Sequence, residues 1–217
     1  MISPVAIQFI ALGLCLLASL MCIVTLRLRS ILRLYAFASL MLAVYAAVLA
    51  WQGGEIHFWA VAALTVLVKV AFVPWILSRS VRKSHALERL QTSVRPTTSL
   101  LLALVMVLGL AAAVSHWPFV QHAVSNQAIL LSVEVFFVGM LLLIFRRDVL
   151  SQIIGFLTIE NGISAFAFAT ITGVPALLEA GIFGALMFGA LLMATLSHHV
   201  QTLYGTEDTK ALSELTD

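Results

Sequence analysis

Charge is what this sequence lacks most. Asp, Glu, Lys and Arg make up 10% of its 217 residues, while 62% are hydrophobic. A soluble domain carries about 25% charged residues. A water-soluble fold this poor in charge could not cover its own surface, so lipid must be the solvent for much of the chain. The mean hydropathy of +1.08 says the same. The formal net charge is only +2, and no basic patch is large enough to hold nucleic acid. Cysteine is nearly absent. Cys15 and Cys22 share one apolar stretch, which places them on one helix face, too far apart to bridge within that helix. They read as small apolar filler. No zinc or iron–sulfur ligand spacing occurs, so no cofactor is expected in this chain. There is no nucleotide loop, no catalytic triad and no large polar domain to hold a substrate. These absences turn the reading away from covalent catalysis and toward ion movement or assembly.

What is present is a series of apolar runs. A bilayer-spanning helix needs about 20 mostly apolar residues. Seven runs qualify: Val5–Leu26, Ile31–Trp51, His57–Ser78, Thr98–Ser115, Gln127–Phe145, Val149–Thr172 and Pro175–Val200. They are separated by RLRSILR, QGGE, the polar stretch from Arg79 to Pro96, HWPFVQHAVSN, RRD and TGVP. The first run has no basic residue before it and is too long for a signal-peptide core, so it reads as a retained helix. The expected fold is an all-α integral membrane bundle of about seven transmembrane helices. Its expected units are a three-helix part (1–97), a four-helix part (98–204) and a polar tail (205–217).

Basic residues in the loops orient such a bundle. Arg27, Arg29 and Arg33 fall in the first loop. Arg79, Arg82, Lys83, Arg89 and Arg95 fall in the third, and Arg146 and Arg147 in the fifth. The even loops hold no Lys or Arg, which predicts an outer N-terminus and a cytoplasmic C-terminus. The third loop reads either as a short helix lying at the interface or as a solvated loop. A weak likeness between RSILRLYAFASL and RDVLSQIIGFLT raises the option of two parallel three-helix copies. Trp51, Trp59, Trp75 and Trp117 lie near the ends of runs, as interfacial anchors do.

Ionisable groups inside the bilayer cost about 2.5–3.5 kcal/mol each on insertion scales and usually mark a pathway. Glu160 lies about 11 residues into the sixth run, roughly 16 Å deep at 1.5 Å per residue. Thr158, Asn161 and Ser164 are its possible hydrogen-bond partners, and Gly155 and Gly162 allow close helix approach. Glu160 is either a proton-exchanging group or a neutral interhelical contact. Lys69 sits near the middle of the third run, before Pro74. That proline has no N–H, so the carbonyl of Val70 loses its helical partner and a kink is expected. Glu134 is intermediate in depth. Glu179 lies one turn into the seventh run, where a helix N-terminus alone would favour it. Gly181, Ala185 and Gly189, spaced by four, form a packing stripe.

The segments RRDVLSQIIGFLTIENGI, LVKVAFVPWIL and LLEAGIFGALMFGALLMATL resemble the hydrogenase-4 component E family over nearly the whole chain. Those proteins are membrane subunits of formate hydrogenlyase-like, nickel–iron hydrogenase complexes. The last three runs are also similar to the K-type subunit of respiratory complex I and the C-type subunit of Mrp cation/proton antiporters. The resemblance implies a non-catalytic subunit of a complex I-like redox assembly in the bacterial inner membrane. It implies a proton path through Glu160 and Glu179, with Lys69 as a typical family lysine. Implied partners are antiporter-like subunits, a quinone-site-like membrane subunit and a peripheral arm. That arm would carry iron–sulfur clusters and perhaps nickel–iron. Two other readings stand beside this one: a subunit of an antiporter without redox chemistry, and a structural membrane linker.

Overall fold

The computed structural model describes residues 3–53, 56–84, 92–114 and 126–170. Among these residues the architecture is all-helical. Between the helices, Thr92 and Arg146 form an isolated antiparallel bridge. The elements are α1 (Pro4–Val24), α2 (Leu28–Gly53), α3 (Ile56–Thr65), a π-helical stretch (Val66–Phe72), α4 (Val73–Ser84), α5 (Pro96–Val114), α6 (Asn126–Phe145) and α7 (Val149–Thr170). Among the described residues six helical segments are long and apolar enough to cross a membrane, with α3, the π stretch and part of α4 forming one of them. The expected seventh run, with Glu179, Gly181 and Gly189, lies outside the described residues.

Local chemistry sets the helix ends. Ser3 caps α1 by accepting from the Ala6 N–H at 3.3 Å, and Pro4 opens the helix where its missing N–H costs nothing. The Arg27 carbonyl accepts from both Ser30 and Ile31, so α2 begins at Leu28, three residues before the apolar run. Asp148 caps α7 through Oδ2, which accepts from the Ser151 N–H at 2.8 Å. The third span also runs past its apolar boundary. The helix continues through Ser84 rather than stopping at Ser78, because no Pro or Gly interrupts WILSRSVRKS.

α1, α2, α6 and α7 share the core, which joins Cys15, Tyr35, Val138, Leu142 and Ile153 into one buried cluster. α6 and α7 form the tightest pair, an antiparallel hairpin across RRD. A Cβ on Gly162 would stand 2.5 Å from the Phe136 nitrogen, and one on Gly139 would stand 2.6 Å from the Ile159 nitrogen. Only glycine lets these backbones meet, as in membrane helices that associate through small residues. α5 is peripheral and buries only Ser99, Ala103 and Val114. Its exposed Leu101, Val105 and Leu108 suit contact with lipid.

The bundle has two recognisable ends. The end of α1, the start of α2, Thr92 and the α6–α7 hairpin gather at one, called here the hairpin end. At the other, Phe168 of α7 meets Tyr45 and Phe58, with ring centroids 6.4 and 6.1 Å apart.

Candidate functional site

The site is built around an irregular stretch of the third span. Proline at 74 can donate no hydrogen bond, and its ring would strike the carbonyl four residues earlier in a regular α-helix. The chain before it is wound wider, and the Val73 N–H reaches the Val68 carbonyl five residues back. The expected disturbance at Pro74 therefore takes the form of a π-helix, a feature frequent at functional sites. Within that stretch Val66, Leu67 and Phe72 are exposed, and Lys69 alone is buried.

Lys69 meets α7 halfway along it. Its Nζ pairs with Glu160 Oε2. It also donates to Asn161 Oδ1 at 2.9 Å. The Asn161 amide passes the contact on, donating from Nδ2 to Ser39 Oγ of α2 at 3.1 Å. On the far side of the pair, Ser164 Oγ donates to Glu160 Oε1 at 2.7 Å. Lys69, Glu160, Asn161 and Ser39 are each at most 2% exposed. One ammonium thus faces one carboxylate, and an amide and two hydroxyls take up further hydrogen-bonding capacity. A buried ion pair persists only with this kind of support. Chemically, a lysine beside a carboxylate can exist as an ion pair or, after proton transfer, as two neutral groups. The same three groups can solvate either state.

Other residues singled out by sequence fall elsewhere. Thr158 does not join the site; its hydroxyl donates to the Ile154 carbonyl of its own helix at 2.7 Å. Gly155 and Gly162 face α6 and set the helix spacing that fixes Glu160. Glu134 of α6 is buried to 4% exposure, and no described hydrogen bond or ion pair involves it. It lies two residues, about 200°, around the helix from Phe136, whose backbone touches α7, so it faces away from the Glu160 helix.

Sequence reasoning passed over three residues. Ser39 is a lone hydroxyl in an apolar run and gives no signal of its own. Tyr35, one turn before it, is also fully buried. Arg146, read as a loop cation, is 2% exposed and the largest fully buried side chain described. Its Nη2 donates to the carbonyls of Cys22 at 2.7 Å, Ile23 at 3.2 Å and Thr25. A cation at the end of α1 meets both orphaned carbonyls and the negative pole of that helix. Burial pulls the Arg146 guanidinium below its ordinary pKa, while nearby Asp148 opposes the shift. Among the described residues no group of three or more His, Cys, Asp or Glu side chains is placed to hold a metal ion.

Comparison with known proteins finds distant similarity along the full chain. An uncharacterized protein of Mycobacterium tuberculosis is 28% identical over 214 residues, covering 98% of this chain and 97% of that one. Hydrogenase-4 component E of Escherichia coli is 27% identical over 205 residues, covering 94% of each chain. The Shigella flexneri protein of the same name matches to the same extent. No family model matches, and no solved structure matches. The chain is thus a multi-pass helical membrane protein with distant similarity to a hydrogenase-4 subunit.

Proposed function

We propose that this protein is a non-catalytic membrane subunit of a hydrogenase-4-like, complex I-related redox assembly, and that Lys69 and Glu160 exchange a proton within the bilayer. The observation that carries this reading is the pair itself. Both residues sit near the middle of their helices, fully buried, and share a hydrogen-bonded neighbourhood drawn from three elements. Buried ionisable pairs in membrane spans are expensive and mark ion pathways. Similarity to hydrogenase-4 component E supplies the kind of assembly. In this reading the basic loops place the hairpin end at the cytoplasmic face of the inner membrane. Glu134 and Glu179 are further proton-carrying candidates. The partners are antiporter-like subunits, a quinone-site-like subunit and a peripheral arm holding the redox centres.

The decisive experiment is Glu160→Gln in the assembled complex, reading proton translocation and subunit composition together. Loss of translocation with an intact complex is the expected result. Unchanged translocation would sink the proton-exchange role and leave a structural linker. Pull-down of the tagged protein in mild detergent separates the redox from the antiporter assembly. Co-purifying nickel–iron or quinone-dependent chains favour the first, and antiporter subunits alone favour the second.

A further inference from the structure

Tyr35 presents a problem that the proton-exchange reading does not by itself solve. It is 1% exposed, and its hydroxyl completes no hydrogen bond. A buried phenol left unsatisfied is costly, and phenylalanine would fill the same space without that cost. The surroundings of the hydroxyl are not random. Tyr35 and Ser39 lie four residues apart on one face of α2, and both are buried. Ser39 Oγ already accepts from Asn161, so its own O–H remains available to donate. Cys15 of α1 shares the buried cluster that holds Tyr35. Tyr45 gives the contrast. It stands on the same helix at the same burial, but its ring packs against Phe168, toward the opposite end of the bundle from the hairpin.

Direction along the bundle matters too. Ser164 lies one turn from Glu160 toward the Phe168 end, and Tyr35 lies one turn from Ser39 toward the hairpin end. The polar line through the pair therefore ends at Tyr35 on the side where Arg146 is buried.

We propose that Tyr35 is a positioning residue for the Lys69–Glu160 pair: its hydroxyl engages Ser39, and through Asn161 the pair, when the pair changes protonation state. This rests on the proton-exchange reading. No bond is made or broken at Tyr35. The phenol keeps its proton and gains a hydrogen-bond partner.

The test is a pH titration by infrared spectroscopy of the protein in lipid nanodiscs, together with the partners that co-purify. The carboxyl band lost in Glu160→Gln identifies Glu160. Tyr35→Phe is expected to move the midpoint of that band by about 0.5–1 pH unit, the size of one hydrogen bond. Ser39→Ala should move it comparably, and Tyr45→Phe should leave it in place. Tyr35→Phe should unfold no lower than the unaltered protein, because it removes a buried hydroxyl that completes no hydrogen bond. A Glu160 titration that Tyr35→Phe does not move overturns the role of Tyr35 and leaves the proton-exchange reading standing. A Glu160 band that never titrates overturns both.

Discussion

Lys69 and Arg146 are each 2% exposed, yet the molecule holds them in different ways. Lys69 meets a carboxylate and an amide side chain in the middle of the bundle. Arg146 meets three backbone carbonyls at the end of α1. The partners decide what each cation can do. A lysine facing a carboxylate has a proton acceptor within reach. An arginine facing carbonyls has no acceptor for a proton and stays charged. The first is a pair with two accessible states. The second is a fixed tie between the α6–α7 hairpin and α1. Depth of burial alone does not mark function; the chemistry of the partner does.

That contrast can be broken experimentally. The largest effect is expected from Arg146→Met, which leaves the α1 carbonyls without their donor. At about 1–3 kcal/mol for each buried acceptor left unsatisfied, a loss of about 3–5 kcal/mol is expected for the three carbonyls together, read as thermal unfolding in detergent. Arg146→Lys should recover only part of it, because the shorter side chain must bring its ammonium to the place that Nη2 holds among the three carbonyls. Unaltered stability in Arg146→Met would mean that the tie is not structural.

Lys69→Met should cost less, about 1–3 kcal/mol, because Glu160 can take up a proton once its partner is gone. The double variant Lys69→Met/Glu160→Gln should then lose less than the sum of the two single variants. Strict additivity would deny that the pair acts as a unit. Both single variants should abolish proton translocation, whereas Arg146→Lys should spare it in whatever protein still folds.

The glycine frame that carries both sites gives the next effect. Gly162→Ala puts a methyl group 2.5 Å from the Phe136 nitrogen, where only backbone movement can make room. Overpacking of this kind costs about 1–3 kcal/mol. It should also displace Glu160 from Lys69, so translocation should fall along with stability. Gly109→Ala on peripheral α5 is the small-effect counterpart. Nothing lies within 4 Å of the added methyl, and a gain of about 0.5–1 kcal/mol is expected. Equal effects at the two glycines would refute the close α6–α7 packing.

Much of the site was legible from residue type and place. Glu160 and Lys69 stood out because a charge in an apolar run is rare. Pro74 announced an irregular helix, though its π-helical form needed coordinates. Asn161 and Ser164 were visible as polar neighbours, but both were assigned to Glu160. The structure gives Asn161 to Lys69 and Ser39, while Thr158 turns back to its own backbone. Ser39 and Tyr35 carried no signal, because a hydroxyl among apolar residues serves packing as often as chemistry. Arg146 misled, because a basic residue between two spans reads as a solvated charge.

Sequence alone determined the class of this protein. Hydrophobicity and length are properties of each run by itself, so helices that suit lipid, and the ionisable residues within them, follow without reference to any neighbour. Tertiary structure decided the pairing. Lys69 and Asn161 are 92 positions apart, and Arg146 and Cys22 are 124 apart. In a water-soluble helix an apolar stripe shows which face is buried. A helix in lipid is apolar on both its buried and its exposed faces, so that pattern is blank. Only the packed bundle shows which residue each buried charge will meet.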